Sequence, residues 1–333
     1  MVRASLPWDP ALLPACSGGE PDMIRGVDDH AAAPGGDLAP ARSSERLGFP
    51  PDARVLIVNC DDFGMYHAVN VAVVRSIEEG IARSCSLMVP CPWAPHAMDL
   101  LRDRPEISFG IHLTLLIDVP HYRWGPLTAR DRVPSLLDEA GELHEWDRMS
   151  DLLARAHLDE VELEFRAQID RVVDAGLAPT HLDFHSLADG GRDDILDLTV
   201  ALAQEYGLAV RVWLEPGRER LRARGLPVDD YPLMDSTRID LDRKAGRLAD
   251  LAHELPAGLS EWAMHPSLGT EESQAVNSLW RQRLTDYEFL ISAEARELIR
   301  DEGIQVIDYR PMQRAWTRPA ASQWTQPTRL PVK

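Results

Sequence analysis

Cysteine is scarce in this chain. Four residues in 333, Cys16, Cys60, Cys85 and Cys91, share no paired CxxC spacing, which excludes a disulfide framework or a paired-CxxC zinc site and points to reduced thiols in a cytoplasm. Apolar runs of about 18 residues are missing too, so no segment can cross a bilayer as a helix. No glycine-rich phosphate loop follows the first apparent strand, which speaks against a nucleotide site. Positive charge is short: 35 Lys and Arg stand against 54 Asp and Glu, for a formal net charge of −19 and a pI near 4.9. An acidic surface repels phosphates and anionic headgroups, so nucleic acid and membrane surfaces are excluded as partners and a neutral or cationic small molecule is expected. Nothing in these features sets the oligomeric state, a homo-oligomer included.

What is present is an ordinary globular composition, 44% hydrophobic and 27% charged, with a regular alternation in its middle. Residues 1–53 carry Pro34, Gly35, Gly36 and Pro40 without sustained periodicity and read as a flexible N-terminal extension. Leu13 to Cys16 resembles a lipoprotein cleavage site, but Asp9 and nearby prolines interrupt the apolar run that export needs. Residues 312–333 read as a C-terminal tail. Between them, 54–311 form the folded domain. Val55, Leu56, Ile57 and Val58 are apolar at consecutive positions, as in a strand buried on both faces of a parallel sheet. Strand-like segments follow at 84–90, 107–116, 179–184, 209–214, 259–265 and 304–309. Helical stretches lie at 69–79, 94–102, 158–175, 194–206 and 292–301. Short strands alternating with helices predict an α/β fold, an incomplete (β/α) barrel of about seven parallel strands.

In such folds the C-terminal strand ends converge on the ligand site. Four of them carry Asp or His: Asp61 and Asp62 after the first strand, His112 in Gly-Ile-His-Leu, the run His181, Asp183 and His185, and His265 between Met264 and Pro266. A spacing of two places His181, Asp183 and His185 on one face of a strand, with His185 nearest the C-terminal end. Alone, an Asp-Asp pair is ordinarily a solvated turn and a strand histidine a hydrogen-bonded core residue. Together, Asp, His and His from three strands match what a catalytic divalent metal needs, with positions left for water and substrate. One of the adjacent Asp61 and Asp62 can bind metal while the other, turned by a bend, serves as base. His67, His96, His121, His144, His157 and His253 lie in helical or loop-like stretches and read as surface residues. Cys60 is expected as a buried thiol beside the site.

Val-Asn-Cys-Asp-Asp-Phe-Gly at 58–64, Gly110 to Leu113, Pro179 to His185 and Met264-His265-Pro266 occur in the same order as motifs of the YdjC-like (ChbG-type) carbohydrate deacetylases, which this chain resembles from about 54 to 311. The resemblance implies a barrel related to the polysaccharide deacetylases, one divalent metal ion (Mg or Zn), and removal of an N-acetyl group from a small carbohydrate such as an acetylated chitooligosaccharide. Carried across, the metal ligands are Asp62, His112 and His185, the base is Asp61 and the acid is His265. Arg211 is expected to touch substrate or orient Asp61. After His185 the chain departs from the family pattern, reading Ser186, Leu187, Ala188, Asp189, Gly190, Gly191. Trp93, Trp124, Trp146 and Trp213 are candidates to stack on a sugar ring. Two other readings stay open: a metal-dependent phosphoesterase on a similar barrel, and a non-catalytic sugar-binding protein.

Overall fold

The computed structural model describes residues 41–119 and 122–317. Its strands are β1 (Arg54–Phe63), β2 (Ser84–Leu87), β3 (Ser108–Leu113), β4 (Leu116–Ile117), β5 (His144–Glu145), β6 (His181–Phe184), β7 (Ala209–Val210), β8 (Met234–Asp235), β9 (Gly258–Met264) and β10 (Gln305–Ile307). Apart from the separate β4-β5 pair, they form one parallel sheet in the order β7-β6-β3-β2-β1-β9-β8, with β10 also on β1. Strand β1 is central and long enough for two partners on one flank: Val55 to Ile57 pair with β10, while β2 takes over from Asn59. The eight strands therefore occupy seven positions, and among the described residues the outer strands β7 and β8 do not pair. This is an incomplete (β/α) barrel, as expected. Val55, Leu56, Ile57 and Val58 are inaccessible to solvent, because helices cover the outer face and polar side chains fill the inner one.

The α-helices are α1 (Ser43–Arg46), α2 (His67–Glu78), α3 (Ala94–Arg102), α4 (Met149–Arg155), α5 (Leu158–Val173), α6 (Asp193–Tyr206), α7 (Glu215–Ala223), α8 (Lys244–His253), α9 (Glu271–Val276), α10 (Trp280–Ile291), α11 (Ala293–Asp301) and α12 (Arg310–Thr317). In α5, Val161, Phe165, Ile169 and Val172 recur at helical spacing and are buried, which is the pattern that made it legible. Helices α7, α8 and α10, and strand β8, were not expected from the sequence. The three helices bury charged residues, Arg218, Lys244, Arg283 and Asp286, among few apolar ones, and β8 is only two residues long, so a search for apolar runs passes over them.

Both ends of the expected domain shift outward. Residues 41–53 are not part of a loose extension: the Ser43 and Ser44 amides donate to the Asp230 carboxylate at 2.7 and 3.2 Å, and both serines are buried. At the other end α12 buries Met312 and Trp316, and Trp316 Nε1 donates to the Pro227 carbonyl at 2.8 Å. Composition missed these segments because few residues anchor them. Cys16, His121, the rest of the extension (1–40) and the rest of the tail (318–333) lie outside the described residues.

Candidate active site

Alternation along β1 turns Asn59 and Asp61 to the same face. Asp62 would then point away, but its φ of 66° and the register break between Cys60 and Phe63 turn the backbone, so both carboxylates enter the barrel mouth. Few non-glycine residues adopt that conformation, aspartate among them. Strand β3 places His112 opposite Asp183 of β6, and Gly110 opposite His181. A Cβ at Gly110 would lie 2.4 Å from the His181 ring, so only glycine lets His181 pack there. That ring stacks on Tyr309 with centroids 3.6 Å apart; burial holds it down at about 3, hence neutral.

Asp62, His112 and His185 each offer one ligand atom, all within 4.8 Å of one another and all buried. His112 Nε2 is 3.4 Å and His185 Nδ1 3.1 Å from Asp62 Oδ1. Each imidazole has a carboxylate behind it. Asp183 Oδ1 lies 2.9 Å from His112 Nδ1 and Asp118 Oδ1 lies 3.4 Å from His185 Nε2. A carboxylate accepts only, so protons on those outer nitrogens leave lone pairs on the inner ones. Burial alone would lower both histidines, but Asp183, Asp62 and Asp61 push His112 up to about 10, and Asp118 with Asp62 pushes His185 up to about 9. An environment that draws protons onto two imidazoles also suits a cation between them. The donor set, two nitrogens and a carboxylate oxygen with carboxylates behind, therefore fits a divalent metal ion.

The two aspartates meet different arginines. Arg211 grips Asp61 with both terminal nitrogens, at 2.8 and 2.6 Å, while Asn59 Nδ2 donates to Asp61 Oδ1 at 2.8 Å. Arg211 is wholly buried, also contacting Asp183 at 3.1 Å and Glu261 at 3.5 Å. Among the described residues its guanidinium nitrogens meet only carboxylates, an arrangement that suits the expected role of orienting Asp61. Arg283 of α10 donates to Asp62 Oδ2 at 2.6 Å. Burial would raise both carboxyls, and these arginines hold them below the usual carboxylate range.

His265 leaves the end of β9 across the mouth, with Nε2 3.8 Å from Asp61 Oδ2. Its Nδ1 lies 3.2 Å from Ser236 Oγ, whose hydroxyl donates to Asp286 Oδ2 at 2.6 Å. Lys244 Nζ sits 2.8 Å from Asp286 Oδ1, both fully buried. With its one proton given to Asp286, Ser236 must accept from His265 Nδ1–H, and Nε2 is turned toward Asp61 and the centre.

Sequence reasoning missed Asn59, Asp118, Arg283, Ser236, Asp286 and Lys244. A signal existed for two: Arg283 and Asp286 share the buried stripe of α10 with Tyr287 and Leu290, a placement unusual for charges. The expected surface position of His144 is corrected: it lies in β5, opposite Leu116 of β4, and is 3% exposed. Trp124 is buried against His185 with its Nε1 donating to the Leu116 carbonyl, so it supports the ligand and has no free face for a sugar. Trp146 and Trp213 are half-buried, Trp213 beneath the Arg211 guanidinium. Cys60 is buried as expected, and burial pushes its thiol up, which removes it as a nucleophile.

The sequence profile of the family described as YdjC-like protein matches residues 55–301. The chain belongs to the YdjC-like family. A carbohydrate deacetylase of Brevibacillus brevis is 33% identical over 265 residues, covering 76% of this chain and 98% of its own. A chitooligosaccharide deacetylase of Serratia marcescens is 30% identical over 258 residues, covering 75% of this chain and 96% of its own. A solved structure from Enterococcus faecalis V583, whose name concerns cellobiose-phosphate cleavage, aligns with a TM-score of 0.66 at 26% identity, over 77% of this chain and 98% of that one. In this YdjC-like chain the matched region runs from β1 to the end of α11, so every residue of the centre described above except Tyr309 lies inside it.

Proposed function

We propose that this YdjC-like chain hydrolyses the N-acetyl group of a small carbohydrate, such as an acetylated chitooligosaccharide, with a divalent metal ion at Asp62, His112 and His185. The observation that carries the reading is the convergence of that triad with Asp61 and His265 at its side. The ion, when bound, polarises the acetyl carbonyl and acidifies a water molecule. Asp61, ionised and fixed by Arg211 and Asn59, accepts the proton of the attacking water at Oδ2. His265, held through Nδ1 by Ser236, acts as an imidazolium: it gives the proton on Nε2 to the departing amine as the C–N bond breaks and is left neutral, its Nδ1–H still donated to Ser236. Two imidazoles in the donor set favour a nitrogen-accepting ion such as zinc over magnesium. Free thiols at Cys60, Cys85 and Cys91 support a cytoplasmic setting.

A phosphoesterase needs cations free to face a phosphate. At this centre Arg211 and Arg283 are buried and each is engaged with a carboxylate, which favours a neutral substrate. Metal analysis of the purified protein and acetate release over acetylated sugars test the proposal. His112→Ala is expected to lose stoichiometric metal and activity while circular dichroism stays native; full metal retention by that variant would remove the triad from the mechanism.

A further inference from the structure

The loops leaving β1 and β2 gather three aromatic rings beside the Asp62 turn. His67 opens α2, Trp93 precedes α3, and His96 lies in the first turn of α3. Ring centroids are 5.0 Å apart for His67 and Trp93, 5.4 Å for His67 and His96, and 5.5 Å for Trp93 and His96. His67 is exposed and the other two half-buried. Asn70 fastens the group to the catalytic turn: its Oδ1 accepts from the Gly64 amide at 2.7 Å, and its Nδ2 donates to the Trp93 carbonyl at 3.1 Å and lies 3.1 Å from His96 Nδ1. Gly64, two residues beyond Asp62, approaches this loop so closely that a Cβ on it would lie 3.2 Å from the Ala94 backbone. The backbone that places Asp62 therefore also places the rings, on the loops that leave the C-terminal ends of β1 and β2.

We propose that Trp93, His67 and His96 form a stacking platform for a second pyranose ring, next to the one whose acetamide reaches the metal, and that the chain consequently prefers oligosaccharides to the monosaccharide. A pyranose offers an apolar C–H face and a polar edge, and an aromatic platform flanked by imidazole nitrogens complements both. Burial lowers His96 from its ordinary value, so the ring that accepts from Asn70 is neutral, which suits an uncharged sugar.

The proposal rests on the carbohydrate reading above, and its test separates the two. Acetate release by the wild-type protein checks that reading. Calorimetric binding of N-acetylglucosamine and of its β-1,4-linked trimer to Asp61→Asn protein, with and without platform substitutions, checks the platform. Trp93→Ala should weaken trimer binding about tenfold and lower the ratio of trimer to monosaccharide affinity accordingly; Trp93→Tyr, which keeps a ring, should recover most of it. His67→Ala, at an exposed position that does not endanger folding, should weaken the trimer about threefold. Unchanged trimer affinity in Trp93→Ala and His67→Ala, or no trimer binding by the Asp61→Asn protein, overturns the platform. Trimer binding that depends on Trp93 without acetate release supports the platform and overturns the deacetylase reading.

Discussion

Asp61 and Asp62 are chemically identical neighbours that the fold separates by partner. Arg211 donates to both oxygens of Asp61 and Asn59 to Oδ1, while Oδ2 also faces His112 and His265 at 3.9 and 3.8 Å, whereas Asp62 Oδ1 faces the two imidazoles directly. Asp61→Asn should keep the metal and lose roughly 100-fold or more in turnover, the scale of a lost general base. Asp62→Asn should lose metal first. Metal content measured in both variants decides the matter, and the opposite pattern would reverse the roles. At His265 the decisive contact is Ser236. Ser236→Ala leaves Nδ1–H unfastened, so kcat should fall about tenfold or more on an amide substrate and much less on an activated ester, whose leaving group needs no proton. Equal losses on both substrates would count against proton delivery from Nε2.

At the scale of elements, the site is a consequence of register. Pairing of β3 with β6 sets His112 against Asp183 and Gly110 against His181, and a slip of β6 by one residue would turn His181 and Asp183 to the other face. Gly110→Ala should therefore cost about 1–3 kcal/mol in urea unfolding, through overpacking against a buried ring that Tyr309 holds from its other side. Wild-type stability in that variant would mean that His181 can move aside. Helix α10 contributes an ion pair and a hydrogen-bond acceptor to the mouth, Arg283 donating to Asp62 and Asp286 accepting from Ser236, from positions three apart on its buried stripe.

Across the whole molecule, the formal charge of −19 is partly offset in the interior, where Asp61, Asp62, Asp183 and Asp286 each meet arginine, histidine or lysine, and Glu164 and Asp189 accept from backbone amides. Asp229 differs from these. It is 4% exposed, its Oδ1 lacks a partner, and burial pushes its carboxyl up to about 7. Because the folded state then binds this proton more tightly than the unfolded chain, the associated stability is fully present below about pH 4 and is lost as pH rises through about 7. Asp229→Asn should flatten thermal stability across that interval and raise it at pH 8. Parallel melting curves for variant and wild type from pH 4 to 8 would show that Asp229 does not carry this dependence.

Much of this was legible in the chain itself. Consecutive apolar residues such as Val55 to Val58 mark a strand covered on both faces, and Asp61, Asp62, His112, His185 and His265 could be located at strand ends, because burial and alternation act over a few residues and leave a local pattern. The partners left no such pattern. Arg211 and Asp61 are 150 positions apart and Arg283 and Asp62 are 221; Ser236, Asp286 and Lys244 come from three elements that carry no strong periodicity. Which aspartate faces the imidazoles, which nitrogen of His265 is turned to the centre, and which carboxylates Arg211 grips were decided only when the barrel curled and brought those charges into one volume with little water. There each must find its counterion or hydrogen-bond partner through space, and proximity along the chain has no say.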